Sequence, residues 1–273
     1  MVKSAGERLQ EGKVAEAKDL LLQAVELAPR LPVARYQLGV VLLNLGDNEG
    51  AEERFRQTLA LRPDHADAAF GLGVIATRRE QLGAAADWYR KALAANPDHL
   101  QALGNLAHAL FTLGKQDSAL ALYQRAIDLA PKNPRPLLNM ARALRKLGRS
   151  EEALALIQRA VEISPYDGEL RCDLGQTFWE LHRTDEALAE LRQAINLDPG
   201  RPLVYFVLGD LMRELGRPEE ALRAHRRAAE LDPGMLSAQR AVAEDLEGLG
   251  RGDEAAPYRE RARQAGGGRE TGG

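Results

Sequence analysis

The amino-acid sequence predicts an all-α protein, a right-handed α-solenoid of about eight helix-turn-helix units of 34 residues each. Three observations carry that expectation. Prolines stand at Pro29, Pro63, Pro97, Pro131, Pro165, Pro199 and Pro233, every interval being 34 residues with no insertion or deletion. With that proline as position 32 of each unit, position 20 is alanine in all eight: Ala17, Ala51, Ala85, Ala119, Ala153, Ala187, Ala221 and Ala255. Within each half unit, apolar residues recur three and four apart, the period of an amphipathic helix, and alternation of the β type is missing.

In order, the units cover residues 1–31, 32–65, 66–99, 100–133, 134–167, 168–201, 202–235 and 236–265, forming one solenoid domain. The first lacks its opening three residues. Each unit then reads as a first and a second helix. Small residues at positions 8, 20 and 27, among them Gly39, Ala51 and Thr58 in the second unit, let the two helices approach closely enough to interdigitate. Gly46, Gly114, Gly148, Gly216 and Gly250 follow a leucine between the two halves, where glycine can take the left-handed conformation that ends a helix. An acidic residue follows within a few positions, suited to the next helix N-terminus. In the third and sixth units Glu80 and His182 hold that glycine's place, so these two turns are expected to differ locally. The position-32 proline marks the break before the next unit. At the far end Arg259, Arg261 and Arg263 make the last helix a polar cap, with Pro257 in its first turn or just past it. Residues 266–273, Gly-Gly-Gly-Arg-Glu-Thr-Gly-Gly, read as a flexible tail.

These residues resemble the tetratricopeptide repeat, whose 34-residue pattern joins Leu-Gly, a later Ala, an aromatic four residues on, and Pro. The second unit shows Leu38-Gly39, Ala51, Phe55 and Pro63; the third shows Leu72-Gly73, Ala85, Tyr89 and Pro97. The resemblance runs from about Val2 to Gln264. Departures are few: Leu21, Ile157, Leu191, His225 and Arg259 replace the position-24 aromatic, and position 4 never carries the family's Trp. The resemblance implies a curved superhelix whose first helices line a concave groove, and a non-catalytic scaffold for protein–protein interaction.

Composition agrees with an ordered chain. Hydrophobic residues make up 45% and charged residues 28%, with a net charge of −3 spread along the length, so nothing in bulk draws the chain to nucleic acid or to an anionic membrane. No run of apolar residues is long enough to span a bilayer or to serve as a signal peptide, and the single Cys172 suits a reducing compartment; the expected location is the cytoplasm. Phosphate-binding glycine loops and the His-Glu-x-x-His zinc pattern are missing, so no enzyme, cofactor or metal is expected. His65 and His99, each after Pro-Asp, read as copied repeats, Cys172 as an inert thiol, and the Arg223 to Arg227 run as a solvated outer face.

The family's groove positions, carried over residue by residue, are Asn105, His108 and Phe111 in the fourth unit and Asn139, Arg142 and Arg145 in the fifth. They continue as Asp173, Gln176 and Trp179 in the sixth, and as Phe206, Asp210 and Arg213 in the seventh. The expected ligand is an extended peptide or protein partner, its backbone paired by asparagine amides and an acidic or carboxylate group favoured by the arginines. Asp173 stands against that last expectation, since it can neutralise Arg142 or Arg145. The amides are similar to part of the asparagine ladder of O-linked N-acetylglucosamine transferases, whose sugar-transferring domain is missing here. The carboxylate clamp of chaperone-binding relatives does not fit. Two further readings stay open: a substrate-recruiting subunit or detached repeat region of an enzyme such as a glycosyltransferase, and a self-assembling array.

Overall fold

The computed structural model describes residues 1–267, and the expected tail from residue 268 onward lies outside them. Among the described residues the chain forms sixteen α-helices in eight consecutive pairs. Contacts divide it into two units.

The first unit, Met1–Pro131, holds α1 (Val2–Gln10), α2 (Val14–Leu27), α3 (Pro32–Asn44), α4 (Asn48–Leu61), α5 (Ala66–Arg78), α6 (Leu82–Ala95), α7 (Leu100–Thr112) and α8 (Gln116–Leu129). The second, from Lys132, holds α9 (Pro134–Lys146), α10 (Ser150–Ile163), α11 (Gly168–Glu180), α12 (Thr184–Leu197), α13 (Pro202–Glu214), α14 (Pro218–Leu231), α15 (Leu236–Gly248) and α16 (Gly252–Gly267). Within each unit, successive helices pack on one another, and α9, α11 and α13 also touch in sequence. Each unit is therefore an α-solenoid of stacked hairpins, with its core running between neighbouring pairs. Helix α16 includes Gly266 and Gly267, the first two residues of the expected tail.

The register explains the packing. All eight position-20 alanines are fully buried. The ring at position 24 fits because position 8 is small: a Cβ on Gly73 would overlap the Tyr89 ring, and one on Gly209 would overlap the His225 imidazole. Leu21, Ile157 and Leu191 fill the same slot without a ring and are fully buried. Position 4 has a second use in the later pairs. Arg171 Nε, Tyr205 Oη and Gln239 Nε2 donate to the carbonyls of Pro165, Pro199 and Pro233, at 2.9, 3.3 and 3.2 Å. Each tie fastens a first helix to the break that precedes it.

The turns correct one expectation. Gly46, Gly114, Gly148, Gly216 and Gly250 are left-handed, with φ between 69° and 83°. Glu80 and His182 take the same conformation without glycine, at φ 60° and 57°. The closing hydrogen bonds are also the same: Gln81 N to Ala76 O at 2.9 Å matches Lys115 N to Leu110 O at 2.8 Å. The same closing hydrogen bonds hold the turn, and the two side chains bear its strain.

Candidate functional site

The candidate residues lie on first helices of the pairs, α7 in the first unit and α9, α11 and α13 in the second. In the first unit, α7 carries Asn105 and His108, both exposed, and Phe111, half-buried. Asn105 Nδ2 donates to Tyr89 Oη at 3.3 Å, so one of its two donors is used internally. Tyr89 also shares a 2.8 Å hydrogen bond with Thr77, and burial pushes its phenol pKa upward against both contacts.

In the second unit α9, α11, α13 and α15 stand side by side, and their polar groups meet in two ion networks. The first joins α9 to α11. Arg142 reaches Asp173 through Nε at 2.8 Å and Nη2 at 2.5 Å, and Glu169 at 2.9 Å. Arg145 reaches the same Asp173 at 3.1 Å and Glu180 Oε1 at 2.9 Å. Arg135 adds a 2.8 Å contact to Glu169. The side chains of Asp173 and Arg145 are only 6% and 8% exposed, whereas that of Arg142 keeps 37%. A buried carboxylate needs such partners, because an unpaired buried charge costs several kcal/mol, on the order of 3–5 when one partner of a pair is removed. Hydrogen bonding to Asp173 holds Arg142 firmly charged, against the opposing effect of burial. Burial alone would raise the Glu169 pKa, but Arg135 and Arg142 outweigh it and pull it below the ordinary carboxylate range.

This arrangement bears on the expected carboxylate preference. Asp173 meets both arginines, the outcome foreseen as the objection to it. A ligand carboxylate would have to compete with Asp173 and Glu169 for Arg142, and Arg145 is closed in by its own partners.

The second network joins α13, α14 and α15. Arg213 donates to Asp245 at 2.8 Å and to the Ala241 carbonyl at 3.1 Å, and it lies 3.2 Å from Glu244 and 3.9 Å from Asp210. Asp210 lies 3.3 Å from His225 Nε2. Phe206 packs on the same imidazole, ring centres 5.5 Å apart. His225 is fully buried, which corrects the reading of the Arg223 to Arg227 run as a solvated face: Arg226 and Arg227 pair outward with Glu254 and Glu230, while the histidine is core. Between the networks, Trp179 Nε1 donates to Glu214 at 2.7 Å. Asn139 and Gln176 are half-buried; among the described residues they and His108 make no side-chain hydrogen bond.

The remaining chemistry resolves simply. His65 and His99 cap helices: each Nδ1 accepts from a backbone N–H, of Ala68 or Ala102, at 3.2 Å. The copied Pro-Asp-His is thus a copied cap. Among the described residues no group of three or more His, Cys, Asp and Glu could hold a metal ion. Cys172 is buried, and its thiol pKa is pushed up to about 12 mainly by that burial. No helix of the described residues is long and apolar enough to cross a membrane.

Sequence reasoning missed Glu169, Glu180, Glu214 and Asp245, the partners that satisfy the predicted arginines and tryptophan. A signal existed: Asp173 and Glu180 lie 28 and 35 residues after Arg145, close to one repeat length, and residues one repeat apart sit side by side in a stack.

Comparison with known proteins agrees with this geometry. The model of a tetratricopeptide repeat family matches residues 4–52, 36–99, 89–134, 105–168 and 172–235. No curated protein sequence matches the chain. Among solved structures, a thermophilic tetratricopeptide protein from Thermus thermophilus is 26% identical, with TM-score 0.59 over 66% of this chain and 98% of that one. A tetratricopeptide protein from Parabacteroides merdae is 15% identical, with TM-score 0.75 over 90% of this chain and 97% of that one. YrrB, described as having an unusual peptide-binding site, is 22% identical, with TM-score 0.50 over 70% of this chain and 98% of that one.

Proposed function

Because the chain belongs to the tetratricopeptide repeat family, we propose that it is a non-catalytic interaction scaffold. Its first-helix face holds an extended peptide or a protein partner. The observation that carries this reading is a set of open amides and aromatic surface among groups already neutralised. Asn139 and Gln176 have unused donors and acceptors beside arginines whose charge is met by carboxylates, and Trp179 offers a half-buried indole nearby. An amide pairs with a peptide backbone whatever its side chains, and a large aromatic gives contact area at low entropic cost. YrrB, similar in fold, has a peptide-binding site, which adds support to the same kind of use here.

The finer reading is that an acidic or carboxylate group of the partner is drawn to Arg142, whose side chain is 37% exposed where that of Arg145 is 8%. On this view the partner competes with Asp173 and Glu169, so its contribution falls as salt screens it. The test is capture of partners by the purified protein, comparing the native chain with Asn139→Ala, Trp179→Ala and Arg142→Ala. The first two should weaken capture at every salt concentration, and the third should mainly reduce its salt dependence. Undiminished capture by the Asn139→Ala/Trp179→Ala double variant, with an unchanged melting curve, would move the interaction to another face.

A further inference from the structure

His225 is the one ring-bearing position-24 residue that can carry charge near neutral pH, and it is fully buried. From α13, Phe206 covers one side of the ring, Gly209 leaves the space it occupies, and Asp210 Oδ1 lies 3.3 Å from Nε2. Arg213 Nη2 lies 3.5 Å from Nδ1. From α15, Asp245 Oδ2 lies 2.6 Å from Nδ1, while Asp245 Oδ1 accepts from Arg213 and Glu244 meets Arg213 from outside. The acidic residue of α16 nearest in register, Glu254, is committed to Arg226 and Arg251 instead.

Both ring nitrogens thus face carboxylate oxygens. A neutral imidazole has one N–H and would turn a lone pair toward one of them; the imidazolium has two N–H groups and opposes both charges. Asp245, with a side chain only 2% exposed, needs that second positive partner besides Arg213.

We propose that His225 is a proton-operated latch: as an imidazolium it ties the last helical pair, α15 and α16, to α13 and α14 through Asp245 and Asp210, and losing its proton loosens that pair. This stands whether or not the first-helix face binds a peptide.

The direction of the effect follows from linkage. Burial by itself favours the neutral ring, but Asp210 and Asp245 together outweigh it, and the folded pKa is raised above the ordinary 6.5. A raised folded pKa gives stability that is fully present below the unfolded value and is lost as pH rises through the folded value. The latch is therefore closed below about pH 6.5 and opens as pH rises through the raised folded pKa.

Two measurements on the full chain test it. Long-range nitrogen–proton NMR should show the His225 ring protonated on both nitrogens at about pH 6.5, with a midpoint above that; its signal is identified by its loss in His225→Gln. A neutral ring at that pH overturns the proposal. Amide hydrogen exchange, corrected for intrinsic rates, should show α15–α16 protection falling as pH rises from about 6.5 through the folded pKa, about tenfold for each unit by which that pKa exceeds 6.5. In His225→Gln, protection of the same helices should be low throughout and without that slope. A wild-type profile without the fall, or the same fall in the variant, overturns the proposal. Should the variant not fold, the wild-type titration and exchange profiles decide.

Discussion

Glu80 and His182 are held at φ 60° and 57°, where a side chain crowds its own backbone by about 1–2 kcal/mol. Both lie on the surface, so glycine at either site removes the crowding without opening a cavity. Part of the gain is offset by the greater freedom of glycine in the unfolded chain. Glu80→Gly and His182→Gly should each stabilise the protein by about 0.5–1 kcal/mol, read as a higher urea midpoint at unchanged slope. A lower midpoint would mean that the native side chains contribute something the turn needs. Cys172 gives a second expectation at this scale. Its burial and a thiol pKa of about 12 leave almost no thiolate at neutral pH, so a thiol reagent should label the native protein only as fast as α11 opens. Labelling as fast as in urea-unfolded chain would contradict that burial. What the sequence hid here is the geometry of the turn: the unusual residues at positions 80 and 182 were visible, but not that the backbone would close in the glycine conformation regardless.

Between elements, the decisive contacts are ones that repeat arithmetic could almost supply. The 34-residue register foretold the buried alanines. Leucine at Ala119, which is fully buried, should overpack the α7–α8 contact and lower stability by about 1–3 kcal/mol in denaturant melts. The ion network between α9 and α11 was only half legible, because the period says which positions adjoin but not which rotamer a guanidinium selects. Its shared acid is Asp173. Removing it leaves Arg145 buried with Glu180 as its remaining acidic partner and Arg142 with Glu169, so Asp173→Ala should destabilise by about 3 kcal/mol. Taking away the buried charge as well, in Asp173→Leu with Arg145→Met, should cost less than the single change. If the double variant is the less stable, the network contributes more by attraction than it loses by desolvation, and the reasoning here has the wrong sign.

Across the chain as a whole, a solenoid has no single centre, and its stability is close to a sum of units and the contacts between neighbours. The last pair is then the place where a deletion separates cap from core. Helix α16 buries Ala255 and Ala262, and Tyr258 packs on the same cluster as Leu222, Val242 and Leu246, while Arg259, Arg261 and Arg263 stay exposed. Removing residues 253–273 takes that cover away and turns the apolar side of α15 to water. Removing 268–273 alone takes glycines, Arg269, Glu270 and Thr271, none with an apolar group to bury. The short deletion should leave the melting temperature unchanged within error. The long one should lower it by several degrees, about 2–4 °C for each kcal/mol lost in a chain of this size. The loss should also spread inward, because Asp245 on an uncovered α15 no longer holds Arg213 and His225 in place. Hydrogen exchange should therefore show weakened protection in α13 and α14 of the long deletion, with α9 to α11 little changed. Equal melting of the two truncated chains would mean that α16 does not cap the stack, and weakening confined to α15 would mean that the Asp245 contacts do not couple the last pair to the one before it.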